Sequence, residues 1–570
     1  MDGSTAGTIE ARPAIEFDTH PSEYRHWRLD VDPPRATLTL AVTPEAGLRR
    51  DYDLKLNSYD LAVDIELHDA VQRLRFEQPD VRVVIVTGGL DKTFCAGANI
   101  QMLAGSSHAH KVGFCKFTNE TRNAIEEATT QSGQTWIAAV NGTAAGGGYE
   151  LALACDEILL VDDRASAVSL PEVPLLAVLP GTGGLTRLVD KRHVRRDLAD
   201  LFATRAEGAR GRQALEWGLV DAIAPPSGFE GLVRARAEAR AATSDRPAEA
   251  GGNGIELDRL HRVTDGDTTS YRHVEVRLER DLGAAHLTVR APSTAQPSTP
   301  AELEQAGAAA WIVAAARELD DAVLHLRFDE PEIGTWVLRT AGDPAAVLAA
   351  EELLSHHAEH WLVREVRLLW TRALKRLDLS SRTIVALLTP GSCFAGTLAE
   401  LALGADRTFM LEGAYTAGDT GDDDHGGPAT LHLTEANAGW YPMANALSRL
   451  ATRFYGQDEQ LAAALAAVGR DLDAARAAAA GLVTSTPDDL DWDDEVRLTL
   501  EERHSFSPDA LTAMEANLRF AGPETMETKI FARLTAWQNW VFQRPNATGP
   551  SGALQRFGTG SRPDFDRARV

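Results

Sequence analysis

The chain is short of cysteine, short of positive charge and without any long apolar run, and each shortage excludes a class of function. Four cysteines, Cys95, Cys115, Cys155 and Cys393, are spread over 570 residues. They have no metal-ligand spacing and are too sparse for a disulfide scaffold, so a reducing cytoplasm is the expected location. Lysine and arginine number 57 against 83 aspartates and glutamates, a net charge of −26. Such a chain is a poor partner for nucleic acid or an anionic membrane surface, and an anionic ligand would need a local basic pocket. No apolar stretch approaches the ~18 residues of a membrane span, and the first residues carry no charged-then-apolar leader. What remains is an ordinary globular composition, 44% apolar and 25% charged, in a chain too long for one compact core.

The informative stretch runs from Ile137 to Glu172, IAAVNGTAAGGGYELALACDEILLVDDRASAVSLPE. Ile137 to Val140 reads as a short buried strand, followed by a turn at Asn141-Gly142. Gly146, Gly147 and Gly148 then precede Tyr149 to Ala154, a segment with good helix propensity. Glycines ahead of a helix leave backbone N–H groups uncovered at its positive end, a geometry suited to an oxygen that becomes an anion during reaction. Glu150 stands in the first helical turn. Glu172 follows the next strand, Glu157 to Val161, in a Ser-Leu-Pro-Glu loop. Two carboxyl groups beside one oxyanion cradle form a possible acid/base pair.

A second stretch supplies the other half of the cradle. Val83 to Gly89 reads as a strand and empties into Phe94-Cys95-Ala96-Gly97-Ala98-Asn99-Ile100. Together with Ala139 to Glu150, Pro171-Glu172, Gly181 to Gly184 and Ala214 to Val220, this loop resembles the crotonase (enoyl-CoA hydratase/isomerase) superfamily. The resemblance implies an α/β fold, the crotonase-like (ββα) superhelix, and activity on an acyl-CoA. It implies that the N–H groups of Ala98 and Gly147 polarise a thioester carbonyl and that Glu150 and Glu172 are catalytic. It places Lys55, Ala96, Asn99 and Ile100 along the coenzyme, although Asn99 stands where the family usually has Asp. Since the hydratases of the family carry both glutamates, activation of water is expected. No metal, flavin or nicotinamide site is visible, so no cofactor is expected beyond the CoA moiety of the substrate.

The second half reads as a degenerate copy of the first. Tyr271-Arg272-His273 echoes Tyr24-Arg25-His26, and Ala399 to Asp406 repeats Tyr149 to Asp156. Ala322 to Leu326 is expected to be the strand equivalent to Val83 to Gly88. The copies are not chemically equal: Thr397 and Leu398 replace Gly147 and Gly148, and Glu332 to Asp343 contains no small-residue loop. Glu400 is therefore expected to be structural. The acidic run Asp419 to His425 reads as a solvated loop more readily than as a metal site. The expected organisation is a catalytic module over 1–235, a linker over 236–270, a degenerate module over 271–490 and a helical C-terminal region over 491–570, in a homo-oligomer, with a dimer as the first guess. There, Trp537 and Trp540 are assigned to site cover, subunit contact or packing without a choice among them.

The double length, the AAVNGTAAGGGYELALACDEI run and the WQNWVFQRPNA tail narrow the likeness to crotonase-like lyases of aerobic benzoate degradation. The implied reaction opens 2,3-epoxybenzoyl-CoA with two waters, giving 3,4-didehydroadipyl-CoA semialdehyde and formate. An ordinary enoyl-CoA hydratase with an inert appended module, and a non-enzymatic thioester-binding scaffold, stay open at this level.

Overall fold

The computed structural model describes residues 14–246, 254–413 and 427–570. In the first half, chain order is β1 (Trp27–Asp32), β2 (Arg35–Leu40), α1 (Leu61–Phe76), β3 (Val83–Gly88), β4 (Lys92–Cys95), α2 (His108–Ser132), β5 (Thr135–Val140), β6 (Gly142–Ala145), α3 (Gly147–Ala154) and β7 (Glu157–Val161). β1, β2, β3, β5, β7 and Ala222–Ala224 form one sheet, parallel from β2 onward. Its inner strands β3, β5 and β7 read as near-continuous apolar runs because helices or the second sheet cover both faces. β4, β6, Ala167–Ser169 and Ala209–Arg210 form the smaller sheet.

The chain thus leaves β3, β5 and β7 in turn and passes through a short strand of the smaller sheet each time. β4 pairs with β6, and β6 pairs with Ala167–Ser169, both in parallel. The segments that follow these three strands therefore emerge side by side. They carry Ala98, Gly147 and Glu172, residues 49 and then 25 positions apart in sequence, at one edge of the sheet.

The second half builds a seven-stranded sheet in the order Val263–Asp265, Thr268–Ser270, Val274–Glu279, Ala284–Arg290, Thr335–Ala341, Thr383–Leu388 and Arg407–Met410. Its last four strands are parallel neighbours, as in the first half. A side-chain clamp is also repeated. Tyr24 Oη donates to Asp69 at 2.5 Å while Glu66 accepts the N–H groups of Arg25, His26 and Trp27. Tyr271 Oη donates to Asp321 at 2.7 Å while Glu318 accepts those of His273 and Val274.

Two expectations are corrected here. Ala322 to Leu326 is helical, inside α4 (Trp311–Phe328). Its apolar run is buried on nearly every side, which hides the helical period, and its true counterpart is the end of α1: LDDAVLHLRF against LHDAVQRLRF. The strand is Thr335–Ala341, and it leads through Gly342 straight into the helix Pro344–His356, with no equivalent of β4. The span 236–270 is not a linker throughout. A helix from Pro226 to Thr243 runs into it, as its alanine, arginine and glutamate content favours, and Val263–Asp265 and Thr268–Ser270 already belong to the second sheet. Gly251 to Asn253 and the acidic run Asp419 to His425 lie outside the described residues.

The halves meet through α2 and α5 (Trp361–Leu379), and buried ion pairs cross between them. Arg75 of α1 reaches Glu365 of α5 at 2.8 Å, and Arg327 of α4 reaches Glu120 of α2 at 2.9 Å. Each arginine also bonds a serine at a helix end, Ser132 as the last residue of α2 and Ser380 just after α5. Removing Glu365 leaves the buried Arg75 with Glu127 alone and takes the paired carboxylate from the buried Arg246. Glu365→Ala is expected to destabilise the fold by about 3–5 kcal/mol, read as a shifted denaturant midpoint. Asp32→Ala, which removes an exposed partner of Arg35, is expected to change it by less than about 1 kcal/mol.

The C-terminal region is helical, with longer segments at Trp492–Ser505, Pro508–Leu518 and Thr535–Val541. Trp540 is half-buried and stacks on His108 at the start of α2, with ring centroids 5.9 Å apart. Among the described residues, no helix is long and apolar enough to cross a membrane.

Candidate active site

Two glycines set the backbone of the site. Gly97 has φ +89° and Gly146 has φ +51°, values that side chains rarely tolerate. A Cβ on Gly97 would lie 2.7 Å from the Ala145 carbonyl and 3.0 Å from the Gly147 nitrogen, so the two loops approach as only glycine permits. Tyr59 N–H donates to Gly97 O and Asn99 N–H donates to Tyr59 O, an arrangement that leaves the Ala98 N–H outside this bridge. Gly147 opens α3, where the first N–H groups have no intrahelical acceptor. The two expected oxyanion donors are therefore brought together.

Glu150 is buried and accepts from donors only: Thr182 N at 3.0 Å, Gly184 N at 2.7 Å and the Thr182 hydroxyl. The Gly181–Gly184 turn thus clamps this carboxylate. Glu172 is 9% exposed and begins the helix Glu172–Leu176, with Oε1 packed against Gly146. Its Oε2 is buried without a hydrogen-bond partner among the described residues. Burial, and then the charge of Glu150, push the Glu172 carboxyl up to about 7, against the opposing pull of its own backbone N–H and Arg122. Neighbouring carboxyls with unequal environments are suited to opposite proton roles.

The candidate coenzyme residues divide. Lys55, Ala96 and Ile100 are exposed, and Ala96 N–H bonds Leu56 O, so they share one surface strip beside the oxyanion loop. Asn99 does not join them. Its side chain is buried, accepts from Met102 N–H at 2.9 Å as a helix cap and donates to Asp53 O at 2.9 Å. Three residues not singled out as candidates also lie at the site. Tyr59, Thr182 and Arg122 converge on Gly147 and Glu150 from separate loops and from α2. In the second half, Glu400 is buried in a pair with Arg449 and takes a further bond from Asn437, both at 2.7 Å. Thr397, at the position equivalent to Gly147, fills its own cradle by bonding Glu351 and Tyr441.

The enoyl-CoA hydratase/isomerase family model matches residues 52–250. Benzoyl-CoA-dihydrodiol lyase of Aromatoleum evansii is 53% identical over 556 residues, covering 98% of this chain and 98% of that protein. The chain belongs to the enoyl-CoA hydratase/isomerase family. A putative enoyl-CoA hydratase/isomerase of Bacillus subtilis (strain 168), YngF, is 35% identical over 27% of this chain and 56% of its own. The crystal structure of enoyl-CoA hydratase from Bacillus anthracis is 30% identical, covers 38% of this chain and 77% of its own, and superposes with a TM-score of 0.33. Within this chain the match to the family model ends before the second module, whose cradle is closed by side chains.

Proposed function

We propose that this enoyl-CoA hydratase/isomerase family member is a carbon–carbon lyase that opens the ring of 2,3-epoxybenzoyl-CoA with two waters, yielding 3,4-didehydroadipyl-CoA semialdehyde and formate. The observation that carries this reading is the 53% identity to a benzoyl-CoA-dihydrodiol lyase along both chains. The site geometry supports it.

The thioester oxygen lies between the N–H groups of Ala98 and Gly147, which draw electron density out of the conjugated ring. Glu150, surrounded by donors, is the carboxylate that deprotonates water. Glu172, whose carboxyl is pushed up to about 7, donates to the epoxide oxygen as the ring opens. The first water adds to ring carbon 2 in the oxepin tautomer, where the C2–C3 bond is open. The C2–O bond of that hemiacetal then breaks as Glu172 protonates the departing oxygen, leaving aldehydes at C2 and C3. The second water adds to the C2 aldehyde, next to the α-carbon. Cleavage of the bond between them releases formate and leaves the electron pair as a thioester enolate, with its oxygen between the same two N–H groups. Lys55, Ala96 and Ile100 flank the coenzyme. No group beyond the substrate's CoA is required, and the reading includes a cytoplasmic location. Exposed Leu518, Met526, Phe531 and Phe557 in the C-terminal region favour a homodimer.

The direct test is formate detection by mass spectrometry after incubation with 2,3-epoxybenzoyl-CoA. Crotonyl-CoA hydration without formate release would instead favour an ordinary hydratase. Because Glu172 must carry a proton to donate it, turnover is expected to fall as pH rises through about 7. That alkaline limb should vanish, with a lower kcat, in Glu172→Gln.

A further inference from the structure

Arg122 is 2% exposed, and its side chain enters the site from α2. Nη2 donates to Gly147 O and to Tyr59 Oη, both at 2.9 Å, and Nη1 donates to Thr182 O at 3.1 Å. All three partners are neutral oxygens. A fully buried guanidinium without a contacting carboxylate is costly, and such a group persists where neighbouring charges compensate it. The charged and titratable groups around Arg122 are Asp64 and Tyr59 from the α1 side, Glu150 on α3, Glu172 beyond it, and the Cys95, Cys115 and Cys155 thiols. Its bonds are also specific in what they join. Gly147 carries an oxyanion donor, and Thr182 supplies two of the three bonds that clamp Glu150.

We propose that Arg122 is the positioning residue of this site, a single buried fork that holds the Gly147 donor and the Thr182 clamp in one register and supplies the fixed positive charge facing both glutamates. A planar guanidinium is suited to this because it reaches several acceptors at fixed angles, whereas an ammonium cannot span them. The charge lowers the proton affinity of the Glu172 carboxyl, opposing the burial that raises it. The inference rests on the lyase reading above.

The experiment compares wild type, Arg122→Gln and Arg122→Lys by kcat, KM and pH profile on 2,3-epoxybenzoyl-CoA. Arg122→Gln removes the charge: kcat is expected to fall by about 100-fold or more, with little change in KM and the alkaline limb set by Glu172 displaced upward. Arg122→Lys keeps the charge but not the fork: kcat is expected to fall about tenfold or more, with that limb in place. An unmoved alkaline limb in Arg122→Gln, or wild-type kcat in Arg122→Lys, would overturn the proposal. Should Arg122→Gln fail to fold, Arg122→Lys alone decides. Absence of formate from the wild-type enzyme refutes the lyase reading instead, whatever the variants do.

Discussion

Glu150→Gln is expected to lower turnover of the epoxide by about 10²–10⁴-fold, the usual worth of a positioned general base, while thioester affinity stays near wild type. The substitution is clean because the amide fits the existing clamp. Its oxygen can take the place of Oε1 and accept from Thr182 N and Gly184 N, and its NH2 can donate to the Thr182 hydroxyl, which reverses its role. The fold is therefore preserved and only proton acceptance is lost. Glu150→Ala is a poorer probe, since it leaves two buried N–H groups without an acceptor. Parallel kcat measurement and calorimetric titration with a non-reactive benzoyl thioester check the result. Unchanged turnover in Glu150→Gln would end the assignment of base.

Gly147→Ala is expected to cost about 10²–10³-fold in kcat, the scale of losing one oxyanion donor. The new Cβ would lie 2.0 Å from Tyr59 Oη, 2.8 Å from Cζ and 2.9 Å from Cε1. Tyr59 has little freedom to retreat, because its backbone is laddered to the Gly97–Asn99 loop and its hydroxyl is held by Arg122. The start of α3 must then withdraw and take the donor N–H with it. Removing only the hydroxyl, as in Tyr59→Phe, leaves the ring carbons in the way and should not restore activity. Gly231→Ala, where a Cβ meets nothing within 4 Å in an exposed helix, is the control expected to keep full activity. KM for the thioester and near-ultraviolet circular dichroism separate a lost donor from a damaged fold.

What could be read from the residues alone follows how local each signal is. β3, β5 and β7 announce themselves as short apolar runs ended by glycine or polar turns, and α3 by its glycine-to-alanine transition. Glu150 and Glu172 could be singled out as candidates because each sits at a fixed distance from such a boundary. Arg122 and Tyr59 could not, because their contacts with Gly147 exist only after α2 and a loop are laid against α3; Thr182 lay within the Gly181 to Gly184 match, but its bonds to Glu150 could not be read from it. The family resemblance put Asn99 along the coenzyme, whereas its side chain caps the helix that follows, a contact the motif does not announce. Ala322 to Leu326 misled through burial on all sides, which removes the contrast between faces that distinguishes a helix from a strand.

α2 has two working faces. One carries Arg122 against Gly147, and the other carries Glu120 and Glu127 against arginines of the second module. The apparently idle half of the chain is thereby a counterweight to the reacting half. A change of its surface along α5 would therefore act one helix diameter away from the Gly147 carbonyl that Arg122 holds.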